Sequence, residues 1–246
     1  MQKETVSLND SVYRKITLNP LSDTLDPPML HSYMEMAEKF VHQFRSPLTG
    51  SHGYLEMFME QFTPKEEPST SYLSKMEKGL DQSFQLLNQI EEFATPVSIE
   101  NSTFSLNSFI LSIFENFNED EIRRISISKP EDPVEFHSDF FILRKIVIEL
   151  IRNGLEASPE TNEKKVWVKF HNEGIIEVRN TLMNFPEENL KRIFLPFYST
   201  KALQMGLGLP KCRLYSHKLH LDFQVGFDTD ENEISFQISG YPFTFD

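Results

Sequence analysis

The sequence predicts an α+β protein: an antiparallel helical hairpin that pairs with a second copy as a dimeric four-helix bundle, followed by an α/β two-layer sandwich. Three observations predict it. Apolar residues recur at gaps of three and four over residues 29–62 and again over 72–93. The stretch "TPKEEPST" (63–70), with two prolines, separates the two runs. Beyond "ATPVS" (94–98) short alternating segments are interleaved with helical ones. A 3.6-residue period marks an amphipathic helix and a two-residue period a half-buried strand.

Residues 1–28 are polar, end in "DTLDPP", and are expected to form an extended N-terminal arm, with the prolines just ahead of a helix. The dimerisation hairpin is expected over 29–95. Its first stripe is Leu30, Tyr33, Met34, Ala37, Phe40, Val41, Phe44, Leu48, Leu55, Phe58 and Phe62. Its second is Tyr72, Leu73, Met76, Leu80, Phe84, Leu87, Ile90 and Phe93. One hairpin cannot bury both stripes, so burial predicts a homodimer. The α/β domain is expected over 96–246. "STFSLNSFILSIFENF" reads as a strand then a helix, and "RRISISKP" as a strand. "SDFFILRKIVIELIRNGLEAS" reads as an apolar helix capped by Ser138 or Asp139. "KKVWVKFHNEGIIEVRN" gives two strands around an Asn-Glu-Gly turn, and "EENLKRIF" a short helix. "GLGLPKCRLYSHKLH" opens a helix at its glycines, and "LDFQVGF" with "EISFQISG" forms a last hairpin.

Composition excludes several classes. The 246 residues carry a formal net charge of −13, which argues against a nucleic-acid or anionic-membrane surface. No run approaches the roughly 18 apolar residues of a membrane span. The start, "MQKETVSLND", lacks the apolar run of a signal peptide. The one cysteine, Cys212, fits a reducing compartment. A cytoplasmic protein without membrane insertion is expected, its input arriving through a separate sensor protein or a soluble ligand.

Four places carry chemistry. His42 lies off the main stripe of its helix, in "KFVHQFRSPLTG", and Pro47 bends that helix a turn later. It is either a plain surface histidine or a reactive one. Glu149 and Asn153, four apart on one helix face, can orient water and hold a hard Mg²⁺ ion through oxygen, or form a surface patch with Arg152. Gly206 and Gly208 open a helix whose backbone N–H groups can meet a phosphate. "RIFLPFYSTK" sets aromatics beside Lys201, as an anion-reaching or a core loop.

The order His-x-x-Arg-Ser-Pro-Leu, Glu-x-x-x-Asn, Phe-x-Pro-Phe-x-x-x-Lys, Gly-Leu-Gly-Leu resembles the cytoplasmic core of bacterial sensor histidine kinases over residues 30–246. That resemblance implies a dimeric phospho-acceptor hairpin and a sandwich of the histidine-kinase ATPase type. By it His42 is the phospho-acceptor in the H box, with Gln43, Arg45 and Ser46 beside it. Asn153 is the Mg²⁺-binding asparagine of the N box, with Glu149 one turn earlier. Asn180 faces the adenine, Phe194, Phe197 and Lys201 fall in the F box, and Gly206 and Gly208 lie over the phosphates. It further implies Mg-ATP as cofactor and a response-regulator receiver domain as partner.

The pattern also departs from the family. Gln43 stands where a Glu or Asp serves as base; its carbonyl can fix the ring tautomer but takes no proton. Ser46 replaces the usual Thr or Asn. The first glycine box is degenerate: "NTLMN" (180–184) has Asn180 for an aspartate, and Leu182 and Asn184 for glycines. Gln204 stands where the second box often starts with glycine. The leading expectation is therefore a histidine kinase autophosphorylating on His42. The alternatives are a histidine phosphotransferase relaying phosphoryl groups without ATP, and a catalytically silent dimeric adaptor docking a response regulator.

Overall fold

A computed structural model describes residues 2–8, 11–17, 27–61, 67–157, 166–171, 174–182, 186, 189–190, 192–199, 205–228 and 231–240, with backbone only before residue 33, at 61 and over 67–71. The chain divides into two units. One comprises residues 25–97 and 196–207, the other 1–24, 98–195 and 208–246.

The first unit is built on α1 (Pro27–Gln61) and α2 (Glu67–Ala94). Cross-helix pairs give their direction: Arg45 meets Asn88 and Glu91, while His52 lies near Asp81, so the helices run antiparallel. Between them Ala37, Val41, Leu87, Ile90, Phe93 and Ala94 are buried, with Met34 and Leu48 partly so. Each such leucine, isoleucine or phenylalanine contributes about 1.5–3 kcal/mol by leaving water. The expected single stripe is in fact two faces. Ala37, Val41 and Leu55 turn inward, whereas Phe40, Phe44 and Phe58 are exposed, as are Tyr72 and Met76 on α2. Over 35 residues, gaps of three and four drift around the helix, so one list of apolar positions can serve two surfaces.

The second unit is an α/β sandwich. Its elements are β3 (Ser102–Ser105), α3 (Leu106–Phe114), α4 (Glu119–Arg123), β4 (Ile125–Ser128), β5 (Glu135–Ser138), α5 (Phe140–Ala157), β6 (Val166–Phe170), β7 (Ile176–Thr181), α6 (Gly208–Lys218), β8 (Asp222–Asp228) and β9 (Glu233–Ser239). Five strands form one sheet in the order β4-β6-β7-β9-β8; β4 and β6 are parallel and the other neighbours antiparallel. Burial alternates along the strands. Val166, Val168, Ile176, Val178, Phe223, Val225, Phe236 and Ile238 all face the core, and α5 packs against β6 and β7 while α6 packs against β8. On the other sheet face, the Arg179 guanidinium lies 5.1 Å over the Trp167 ring and 3.2 Å from the Glu233 carboxylate.

Local chemistry sets the helix starts. The Asp139 Oδ1 accepts from the Ile142 N–H at 2.9 Å and its Oδ2 from the Glu100 N–H at 2.8 Å. Asp139, rather than Ser138, is therefore the cap of α5. A capping box of Asn118 and Glu121 opens α4.

Three segments differ from expectation. Residues 1–28, expected as an extended arm, include a hairpin of β1 (Gln2–Leu8) and β2 (Ser11–Thr17), and β2 runs beside the edge strand β8. β5, unforeseen, pairs antiparallel with β3. Where a helix was expected over 187–194, the described residues form 3₁₀ and turn structure, with the Arg192 N–H bonded to the Asn189 carbonyl.

Candidate functional site

In the helical unit, the buried Val41 on α1 leaves its neighbour His42 exposed, as are Gln43 and Ser46. Pro47 lies inside the helix and has no N–H for the Gln43 carbonyl. Around this break the Thr49 hydroxyl donates to the Arg45 carbonyl and the Ser51 hydroxyl to the Pro47 carbonyl, both at 2.9 Å. Arg45 turns across to α2, donating to Asn88 Oδ1 at 3.2 Å and pairing with Glu91. Its charge therefore faces the other helix. Both partners are largely exposed, so the pair contributes less than about 1 kcal/mol.

A second histidine was missed from the sequence. His52 is half-buried between the helices, with Nδ1 3.4 Å from Glu56 Oε1 and Nε2 3.9 Å from Asp81 Oδ1, and its ring stands edge-on to Phe84. The i,i+4 pair His52/Glu56 was the available signal. Both ring nitrogens face carboxylates, Glu56 on the same helix and Asp81 across on α2.

The segment 196–207 completes this unit. Phe197 takes φ 65°, a left-handed conformation unusual for a bulky side chain. Gly206 takes φ 64°, and a Cβ there would collide with the Tyr198 carbonyl. Glycine is thus required by a close approach of backbone to backbone. Leu207, between the two glycines, is buried in the cluster formed by α1 and α2, with Met205 packed against it. No sequence reading placed it there. Lys201 and Gln204 lie outside the described residues, as does Asn184.

In the sandwich unit, Glu149, Asn153 and Gly208 come together. The Asn153 Nδ2 donates to Glu149 Oε1 at 3.3 Å. That carboxylate also occupies the space a Cβ would take on Gly208, the first residue of α6. Glycine at 208 is therefore explained by a side-chain contact from α5. One turn on, the Cys212 thiol is pushed up, first by complete burial and then by the Glu149 charge.

Asn180 sits on the core face of β7, in register with Val166 and Ile234, and is only 2% exposed. Its Nδ2 donates to the Thr181 carbonyl at 2.9 Å. A Cβ on Gly154 would lie 3.1 Å from Asn180 Cβ, which places Asn180 beside the residue that follows Asn153. Phe194 is elsewhere in this unit. It is buried, edge-on to Phe223 at 5.9 Å, with the Arg213 guanidinium 5.9 Å over its ring, so it packs the loop onto α6 and β8.

The donor set fits Mg²⁺. With Nδ2 turned to Glu149, Asn153 has its Oδ1 on the opposite side as a hard donor. Among the described residues no group of three or more His, Cys, Asp and Glu could hold a metal. A cation here would draw most ligands from water and phosphate, as Mg²⁺ does. No helix among the described residues is long and apolar enough to cross a membrane.

Comparison with known proteins agrees with this geometry. Residues 139–240 match the family of histidine kinase-, DNA gyrase B- and HSP90-like ATPases. The chain is 29% identical over 183 residues to sporulation kinase C of Bacillus subtilis (strain 168), covering 72% of this chain and 42% of that protein. It is 24% identical over 204 residues to sporulation kinase D of the same strain, covering 79% and 40%. The chain thus spans about two fifths of the length of these curated relatives. Full-length ShkA in complex with AMPPNP matches with TM-score 0.65 at 19% identity, over 86% of this chain and 46% of that one. Histidine kinase ThkA in complex with response regulator protein TrrA matches with TM-score 0.52 at 22% identity, over 83% and 60%. At these identities the two structures share its fold.

Proposed function

We propose that this chain is a two-component histidine kinase, because residues 139–240 match the histidine kinase-, DNA gyrase B- and HSP90-like ATPase family and the chain shares its fold with histidine kinase ThkA. It autophosphorylates on His42 from Mg-ATP and passes the phosphoryl group to a response-regulator receiver. The observation that carries the reading is the exposure of His42, held at the surface of α1 by its buried neighbour Val41. An exposed imidazole nitrogen is what an in-line phosphoryl transfer requires.

Each of this chain's residues then has a task. Asn153 and Glu149 would hold Mg²⁺, which would neutralise phosphate charge. The N-terminal turn of α6 meets the phosphates at Gly208, and Gly206 closes its loop. Lys201 reaches an anion. The Asn180 amide oxygen accepts from the adenine amino group. Gln43 fixes the His42 tautomer without taking its proton, and losing a general base lowers a rate by about 10²–10⁴-fold. Slow autophosphorylation is the expected consequence.

The exposed apolar faces of α1 and α2, including the stacked pair Phe40 and Phe44, support a homodimer closing a four-helix bundle, and the complex of ThkA with TrrA supports a receiver as partner. Gln43 and the leucine at 182 favour one second reading, a histidine phosphotransferase that relays between receivers without ATP. Radiolabelled ATP, given alone and with a phosphorylated receiver, separates the two. Acid-labile label from ATP alone that disappears in His42→Ala supports the kinase. Label arriving solely from the receiver supports the relay, and label that persists without His42 removes the site assignment.

A further inference from the structure

We propose that the N-terminal hairpin is a strap that closes on the sandwich by strand addition, β2 pairing with the open edge of β8. Three observations carry it. β8 is the last strand of the five-stranded sheet, with β9 on one side of it. β2 runs beside β8, in the same unit of the chain, yet among the described residues β1 and β2 are paired with each other as a sheet of their own. The two neighbouring strands also carry opposite charge in their sequences. β2, "SVYRKIT", has Arg14 and Lys15 and no acidic residue, while β8, "DFQVGFD", has Asp222 and Asp228 and no basic one.

Along an edge strand every second residue turns its N–H and C=O away from the sheet. Those groups either meet water or accept another strand. A two-stranded hairpin standing alone is marginal in water, and a third strand stabilises it. Closing the strap meets both needs, and the sheet then runs β4-β6-β7-β9-β8-β2-β1. Charge selects the occupant. A second copy's β8 would bring aspartates to an edge that already carries two, and like charges across a strand pair are destabilising. The basic β2 is attracted there instead, so the same two aspartates favour one strand and repel the other. The strap stands whether or not the chain uses a nucleotide.

Amide hydrogen exchange of the full chain, followed residue by residue by NMR, tests the edge directly. With the strap closed, consecutive amides of β8 from Phe223 to Phe227 are all protected, half by β9 and half by β2. With it open, protection alternates along the strand. Wild type is expected to show the first pattern. Arg14→Pro, which removes an N–H in the middle of β2 and breaks the strand, should show the second, with every other β8 amide exchanging at least about tenfold faster. Unchanged protection of β6 and β7 shows that the sandwich itself stays folded. Arg14→Glu combined with Lys15→Glu should shift β8 the same way while keeping every N–H. Alternating protection in wild type overturns the proposal before any variant is made, and so does full protection that survives in Arg14→Pro. Full protection in the double glutamate variant overturns selection by charge. Protection that rises with protein concentration assigns the edge to a second copy's strand and overturns the intramolecular strap.

Discussion

Replacing Gly154 by alanine sets two effects of opposite sign against each other. Gly154 lies inside the 18-residue α5, where glycine is about 1 kcal/mol poorer than alanine as a helix former. Against that gain, the new methyl would sit 3.0 Å from Val166 Cγ2, 3.1 Å from Asn180 Cβ and 3.3 Å from Asn180 Cγ. Ordinary carbon contacts lie at about 3.5–4.0 Å. Neither neighbour has room to retreat: Val166 is 0% and Asn180 2% exposed, and the Asn180 amide is held by the Thr181 carbonyl. Forcing an extra methyl into a packed core costs about 1–3 kcal/mol, so overpacking outweighs propensity by about 1 kcal/mol. For a chain of this size that corresponds to a fall of roughly 2–4 °C in Tm. The assay is thermal unfolding followed by far-ultraviolet circular dichroism. The same displacement separates α5 from β7 beside Asn153 and Asn180, so Mg-ADP affinity should weaken in parallel. A Tm that rises would show that helix propensity had won and that the interface yields more easily than its burial implies.

Two more outcomes are expected. Gly206→Ala should lower Tm by more than Gly154→Ala, because a left-handed backbone costs a side chain about 1–2 kcal/mol before its Cβ meets the Tyr198 carbonyl; an unchanged melt would refute the close approach. Glu233 has its pKa raised, by burial first, with Arg179 opposing. The folded state then binds more protons than the unfolded state, so its stabilising contribution is full below the unfolded glutamate pKa and is lost as pH rises through the folded one. The Tm of wild type relative to Glu233→Gln should therefore fall from about pH 4 toward neutrality, and a difference that rises with pH would reverse the sign of the argument.

What the sequence showed depended on period and chemistry. α5 was legible because a capping pair, Ser138 or Asp139, precedes eight buried apolar side chains at helical spacing. β6 and β7 were legible because buried residues alternate on both. β5 was not, since Glu-Phe-His-Ser carries a single apolar residue and is too short to show a period. The chemistry of Gly208 was read as room for a phosphate; the contact with Glu149 depends on two helices meeting, which spacing does not encode. Phe194 was assigned to the nucleotide only through its F-box position in the family resemblance; in the structure its ring packs on Phe223 under Arg213. The pairing of α1 and α2 followed from two apolar runs and a proline break. Which of those apolar residues meet each other, and which stay open, followed from helix rotation alone.

The seating of Leu207 bears on how this protein should be cut for study. A fragment beginning at Ser98 would keep residues 196–207 but lose both helices that Leu207 and Met205 lean on. Two apolar side chains on either side of Gly206 would then face water. Affinities measured on such a truncated piece would describe a loop without its footing, so titrations belong with the uncut polypeptide.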